Sequence, residues 1–524
     1  VKILSSRPTH WLTTIVIFLA LLLLLVKVPA ALGFTGAILA YPFQVDDSEG
    51  VILSEAQWLA RGVDPYQPAR PDFFTAAPYT PIYTAINAAA FALGPFTFKV
   101  GRGVAWFATL AVAALIGALV WRRTRRPLLA SWATIAILTT NLVSIWSVRA
   151  RPDHLALACN LAGFAIIWRH WENLSGPSMK TSAPGRWGIA RGEWRIIALA
   201  AICCAFGFFT KQTLLAAPVA LGLGLLIIRP RLGIAFGGIY GALVLLPFAA
   251  FTLLTRGGFY QHIVAFHSSW SAQDFLFLWE PFVERYWPLL LLAVMLPLVV
   301  LLAGLRAPRK RAAWRADPDL VPALYLPIAA FFALGGGTHG GNHNHFVETV
   351  VVAIFCITLL IGRLLNTPIR TLSWRAFTPI LLLLVALALG NEARFGEANW
   401  LARDFRRPLP AEVEGWRNVA AFVTNDPGPV YADNVGLLLV AGKEVRYTDP
   451  FSLTYATRTR QWDDSALVAR VERGEFSLIA LRYDVFAPDA EGGGGSDLTP
   501  GLYTAIRAHY RVIERNVMIL YAPR

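Results

Sequence analysis

Charge is what this sequence has least of. Asp, Glu, Lys and Arg make up 15% of its 524 residues, against about 25% in an ordinary soluble domain. Hydrophobic residues reach 56% and the mean hydropathy is +0.51, which excludes an ordinary water-soluble chain and indicates an integral membrane protein. Cysteine is scarcer still: Cys159, Cys203, Cys204 and Cys356 each lie inside an apolar run, so neither a disulfide framework nor a cysteine metal site follows. Acidic residues are outnumbered 33 to 47, for a formal net charge of +14. That excess does not point to nucleic acid, because the basic residues cluster between apolar runs, as in Arg122, Arg123, Arg125 and Arg126, and in Arg306, Arg309, Lys310 and Arg311. Such placement is the positive-inside pattern of cytoplasmic loops.

Apolar runs are what the chain has most of. Those near 11–28, 103–121, 128–146, 154–169, 195–210, 213–228, 232–254, 287–305, 319–334, 346–363 and 375–390 predict about eleven transmembrane helices at about 20 residues per span. The run from Trp11 to Val26 is read as a retained first helix rather than a cleaved signal, since many spans follow. Pro81 to Leu93 is apolar but short, bracketed by Pro78, Pro81, Gly94 and Pro95. Counting it as a span would place the Arg122 to Arg126 cluster outside, so a juxtamembrane or re-entrant helix is expected instead. The N-terminus is then cytoplasmic and the C-terminus external, in a multi-pass protein of the plasma (inner) membrane. The transmembrane domain is expected over 1–395, with a first external loop at about 29–102. After about Gly396 the composition becomes soluble. Apolar runs at Pro429 to Ala432, Gly436 to Val440 and Ser477 to Leu481 alternate with helical periodicity at Ala466 to Arg473 and Leu502 to His509, predicting a small external α/β domain over 396–524. Its Glu491 to Ser496 stretch reads as a flexible loop without the strand-to-helix context of a nucleotide site.

This topology gathers the chemistry-bearing residues on one external face. Asp46-Asp47-Ser48-Glu49-Gly50 follows the first span, and carboxylates so near an apolar segment need water, a partner charge or a substrate. The simplest alternative is that Asp46 caps the helix beginning there while Glu49 completes a variant capping box, which leaves Asp47 unexplained. Glu49 to Arg61 has the pattern of an amphipathic helix lying on the outer membrane surface, with Ile52, Ala56 and Leu59 on one face and Gly62 to end it. Arg149 and Arg151 lie outside, against the positive-inside trend, which an anionic ligand would explain. Asp153 either pairs with Arg151 or favours a helix start. Lys211, followed by Gln212, sits at a membrane boundary, where it either snorkels or meets a phosphate. A Gly-rich loop carries His339, His343, Asn344 and His345 into Glu348. His343 and His345 are possible ligands of a divalent cation, but their spacing matches no strong metal signature.

In their order along one polytopic chain, these motifs resemble the GT-C superfamily of membrane glycosyltransferases, the group of protein O-mannosyltransferases and bacterial aminoarabinose transferases. The resemblance rests on Asp46, Glu49 and Gly50, then Gly62 to Tyr66, Tyr79 to Tyr83, Arg151-Pro152-Asp153, Lys211-Gln212-Thr213 and Asn344 to Glu348, with Leu437 to Gly442, Asp449-Pro450-Phe451 and Gln461-Trp462-Asp463 in the tail. It departs from families whose catalytic Asp and Glu are adjacent, because here Asp46-Asp47 precede a displaced Glu49. The resemblance implies a GT-C-like helical membrane fold and transfer of a sugar, with inversion, from a polyprenyl-phosphate donor to a glycan, lipid or protein acceptor in the bacterial cell envelope. It implies no obligatory cofactor. Asp46, Asp47 and Glu49 are then the catalytic candidates, with Asp46 placed first as base for the acceptor hydroxyl. Lys211, Arg151 and Arg149 would hold the departing phosphate, while Asp153, Gln212, Asn344, His345 and Glu348 would position sugar or acceptor. The rival class is a transporter or flippase, against which stand the absence of an internal repeat and the gathering of charge at one face rather than the midplane.

Overall fold

The apolar runs become helices. The computed structural model describes residues 7–176, 189–267, 269–306, 311–338, 340–366, 380–387, 389, 404–487 and 498–524. Its helices are α1 (Arg7–Leu25), α2 (Val28–Ala40), α3 (Asp47–Ala60), α4 (Pro81–Leu93), α5 (Phe98–Thr124), α6 (Pro127–Thr139), α7 (Asn141–Ser147), α8 (Asp153–Arg169), α9 (Trp171–Ser175) and α10 (Arg191–Thr210). There follow α11 (Ala216–Ile228), α12 (Pro230–Leu254), α13 (Gly258–Ile263), α14 (Ala272–Arg306), α15 (Arg311–Arg315), α16 (Leu320–Phe332) and α17 (Val347–Asn366). Among the described residues seven helical stretches are long and apolar enough to cross a membrane, eight if α6 and α7, bent by 62°, count as one span. The first ten predicted spans each fall on a helix, but α8 and α11, at 17 and 13 residues, are too short for that test, since an unbroken crossing of about 30 Å takes about 20 residues. The eleventh, 375–390, lies largely outside the described residues, as does the expected boundary near 396. Pro81–Leu93 is a separate helix of 13 residues, about 20 Å long at 1.5 Å per residue, too short to span.

The bundle closes around α17, whose span is 94% buried. Its two ends differ in charge. At one end Arg123 and Arg363 pair with Asp319, and Arg122 donates to the Arg169 carbonyl. At the other end lie the start of α3, the α7–α8 junction and the end of α10.

The tail forms a four-stranded sheet in the order β1 (Val430–Ala432), β2 (Leu478–Leu481), β4 (Ile519–Pro523), β3 (Tyr510–Arg515), with β1 parallel to β2 and the other pairs antiparallel. Around it are α18 (Pro410–Asn425), α19 (Val435–Val440), α20 (Pro450–Arg458), α21 (Ser465–Glu472) and α22 (Pro500–His509). The run at Gly436 to Val440 is a helix rather than a strand, because Asn434 caps it, accepting from Leu437 N at 3.0 Å. The C-terminal hairpin β3–β4 has no counterpart among the expected elements.

This domain sits directly on the bundle. Phe74 bridges to Tyr447, and the Trp462 indole donates to the Arg70 carbonyl at 2.8 Å. Gly436 N donates to Gln44 Oε1 at 2.9 Å. A Cβ on Gly50 would overlap Gln44 Oε1 and come within 2.5 Å of Gly436 N, so both glycines serve a close approach of backbones. As a result α3 is not a surface helix. It packs against α4 on one side and α19 on the other, and Glu49 through Ala56 are all buried. It does end as expected, in a Schellman turn at Gly62 (φ 76°), with Val63 N bonded to Trp58 O and Gly62 N to Leu59 O.

Candidate active site

The site is built outward from one buried ion pair. Glu49 and Arg102 are fully buried, and the guanidinium meets both carboxylate oxygens at 2.8 Å. The remaining capacity of both groups is spent on backbone: Arg102 donates to the carbonyls of Ile38, Tyr41 and Phe43, and Glu49 accepts from the N–H groups of Val45 and Ala150. Paired in both directions and fully hydrogen-bonded, this is the form in which buried charge is tolerated. It ties the end of α2, the start of α3, α5 and the α7–α8 junction together. Glu49 therefore stands apart from Asp46 and Asp47: it faces away from the cavity described below and has no lone pair left for a proton or a sugar. Nor does it close a standard capping box, since it receives Val45 N rather than the Asp46 N–H. Asp46 is a true N-cap, accepting from Ser48 N at 3.2 Å.

Asp46 is also the middle of an alternating row of charges. Arg149 reaches Asp46 at 3.2 Å and Asp404 at 3.1 Å, while Arg151 reaches the other Asp46 oxygen at 2.9 Å and Ser48 Oγ at 2.7 Å. Both guanidiniums lie over the Trp146 ring. Arg151 also donates to the Tyr79 hydroxyl and stands 3.5 Å from Asp153. Asp153 in turn accepts from Lys211 Nζ and, at 2.6 Å, from Asn344 Nδ2. The order Asp404, Arg149, Asp46, Arg151, Asp153, Lys211 thus holds three carboxylates and three cations. This corrects the expectation that an anionic ligand must account for Arg149 and Arg151 at this end, because carboxylates do. Burial would raise the Asp46 carboxyl, but Arg151 and Arg149 outweigh it and hold it below the usual carboxylate range.

Above this row, between bundle and tail domain, lies a cavity of about 310 Å³ lined by Asp46, Asp47, Tyr79, Arg151, Lys211, Gln212 and His345 from the bundle side and by Asp433 and Asp449 from the tail. Asp47 opens into it, with a side chain 51% exposed. Arg482 of the tail domain donates to Asp47 Oδ1 at 2.8 Å and is itself held by the buried Asp433 at 3.4 Å. Gln212 is anchored to the Pro78 carbonyl.

The other expected residues sit beside or beneath the cavity. Arg149 faces a neighbouring hollow, and Asp153, a member of the row, and Asn344, which donates to it, do not line the cavity. Glu348 is buried in the bundle, where it accepts from the Tyr325 hydroxyl at 2.7 Å. His343 turns from the cavity toward Phe346 and Asn342, so His343 and His345 do not converge, and His339 lies outside the described residues. Among the described residues no group of three or more His, Cys, Asp or Glu is arranged to hold a metal ion. Tyr79, Asp404, Asp433, Asp449 and Arg482 were not expected as site residues. Tyr79 and Asp449 stand within motifs that carry the family resemblance, whereas Asp404, Asp433 and Arg482 carry no local signal at all.

No family model matches the chain, and no curated protein matches its sequence. Solved structures do match. The aminoarabinose transferase ArnT from Cupriavidus metallidurans, bound to undecaprenyl phosphate, superposes with a TM-score of 0.58 at 12% identity, covering 95% of this chain and 97% of that one. Its apo form gives 0.58 at 13% identity. The archaeal oligosaccharyltransferase AglB from Archaeoglobus fulgidus, in complex with an inhibitory peptide and a dolichol-phosphate, gives 0.55 at 11%, covering 99% of this chain and 75% of that one. The chain is a multi-pass membrane protein whose helical bundle carries a small α/β domain. That architecture is the GT-C fold.

Proposed function

We propose that this protein is a membrane glycosyltransferase that moves a sugar from a polyprenyl-phosphate donor to an acceptor hydroxyl at the outer face of the membrane. The observation that carries this is the roofed cavity in which an accessible carboxylate, Asp47, faces two buried cations, Arg151 and Lys211. The fold neighbours are solved with lipid phosphates bound, which favours the same class of donor here. The arginine-rich end of the bundle is read as cytoplasmic and the cavity with its tail domain as external.

In this scheme Asp47 accepts the proton of the acceptor hydroxyl as that oxygen attacks the anomeric carbon from the face opposite the phosphate. The carbon–oxygen bond to the phosphate breaks, and the lipid phosphate leaves with the electron pair, so the anomeric configuration inverts. Arg151 and Lys211 take up the charge on the leaving group, a preorganised electrostatic contribution. Asp47 replaces Asp46 as first choice of base: Asp46 is capped, ion-paired to both Arg149 and Arg151 and held below the usual carboxylate range, whereas Asp47 is half exposed and meets one cation, Arg482. Asp46 instead fixes Arg149 and Arg151. His345 and Gln212 line the path of the sugar, and enclosure beneath the tail domain supplies proximity. Lys211→Ala tests the phosphate role. In proteoliposomes its KM for the lipid-phosphate sugar should rise well beyond its KM for the acceptor, and unchanged donor kinetics would remove Lys211 from the scheme.

A further inference from the structure

The opposite end of the bundle has a second charged hollow, which the transfer scheme does not use. It measures about 280 Å³ and is lined by Arg122, Arg123 and Arg125 from the end of α5, Trp168 and Arg169 from the end of α8, and Glu172 and Pro318. Arg123 is accounted for: with Arg363 it shares Asp317 and Asp319, two cations against two carboxylates. The other three arginines have no carboxylate within 4.0 Å among the described residues, and Arg122 spends its one hydrogen bond on the Arg169 carbonyl at 3.0 Å. Against them, among the described residues that line the hollow, stands Glu172 alone, which leaves a formal +2. The C-terminal ends of α5 and α8 each contribute roughly half a negative charge, leaving about one positive charge unmatched. The neighbouring His170 senses the same field: burial first, then Arg169 and Arg122, push its imidazole below the usual value.

Its surroundings are apolar on the membrane side. The Trp168 indole is fixed by the Pro318 carbonyl at 2.6 Å, and Trp121, one residue before Arg122, is 55% exposed on the outside of α5. Tryptophan at this level marks the boundary between headgroups and hydrocarbon, and basic pockets between transmembrane helices suit anionic headgroups. We infer that the hollow formed by Arg122, Arg125 and Arg169 binds a phosphate group of single negative charge, as carried by an anionic phospholipid headgroup whose acyl chain lies along Trp121. This site is independent of the transfer chemistry and lies at the other end of the bundle.

The test uses the full chain, delipidated in detergent and then titrated with phosphatidylglycerol or phosphatidylcholine while bound lipid is counted by native mass spectrometry. One phosphatidylglycerol should bind at least tenfold more tightly than phosphatidylcholine, and the Arg122→Gln/Arg169→Gln variant should lose that preference. Should the double variant fold poorly, Arg125→Gln alone should weaken binding several-fold, and Arg122→Lys/Arg169→Lys, which keeps the charge, should retain most of it. Inorganic phosphate in a parallel arm separates the sources: displacement of the lipid at millimolar concentration would assign the site to free phosphate, and no displacement assigns it to the lipid. Equal affinity for the two lipids in the wild type, or a preference unchanged in the glutamine variants, would overturn the inference.

Discussion

At the scale of single residues, two adjacent aspartates have opposite surroundings, and this separates their roles. Asp46 is enclosed by Arg149, Arg151 and the Ser48 N–H, while Asp47 opens into the cavity and touches the tail domain through Arg482. Asp47→Asn should therefore reduce sugar transfer by about 10²- to 10⁴-fold, the usual value of a general base, with protein abundance and melting temperature unchanged. Asp46→Asn leaves two buried guanidiniums without their shared counter-charge, a loss that typically costs about 3–5 kcal/mol, so it should lower the melting temperature as well as activity. Glu55 supplies a pH test of the fold. It is fully buried with neither carboxyl oxygen hydrogen-bonded among the described residues, and burial, then Asp449, push its carboxyl well above the ordinary value. The folded chain thus retains a proton that the unfolded chain releases, so stability is greatest below the unfolded value of about 4.3 and falls as pH rises toward the raised folded value. Glu55→Gln removes that titration. Its melting temperature should exceed the wild type's at about pH 8 and converge with it in acid; a constant difference across pH would contradict this. The acidic cluster was legible in the sequence, but the division of labour within it was not. Arg102 is 53 residues from Glu49 and Arg482 is 435 from Asp47, and no local pattern carries such partnerships.

At the scale of elements, apolar runs locate helices but do not count spans: about eleven were expected, and seven or eight helical stretches among the described residues are long and apolar enough to cross. The apolar runs that became helices needed only the rule that a span is about 20 apolar residues. The same rule passes over the break at Thr140, where α6 and α7 diverge by 62° and deliver Arg149 and Arg151 to Asp46. Helix α3 shows the limit of amphipathic reasoning: it was expected on the membrane surface, yet Ser54 and Glu55 are buried and the tail domain packs on the helix through α19. The covering contact is close enough to test. Gly50→Val would force side-chain atoms against Gln44 and the Gly436 backbone, and overpacking of this kind costs about 1–3 kcal/mol. The variant should show a lower melting temperature and faster proteolysis of the tail domain, whereas Gly36→Val, where a Cβ meets nothing within 4 Å, should show neither.

At the scale of the whole molecule, the bundle supplies the cations and the tail domain supplies the roof. The cavity exists only where the two meet: Asp433 and Asp449 come from the tail, while Asp46, Arg151 and Lys211 come from the bundle. Composition and charge order disclosed a polytopic chain with a soluble end, and the motif order disclosed the GT-C resemblance that the fold then bore out. What neither disclosed is that the soluble end closes the site, because domain docking depends on surfaces assembled from distant segments. The most direct measurement is reconstitution of the purified chain in proteoliposomes with a panel of radiolabelled polyprenyl-phosphate pentoses and hexoses and an extract of candidate acceptors. Label should leave the lipid phosphate and appear in an acceptor, or in water by slow hydrolysis, for at least one sugar, and Asp47→Asn should slow this by about 10²- to 10⁴-fold. Movement of the intact lipid-linked sugar across the bilayer with no bond cleaved for any member of the panel would contradict the proposed transfer.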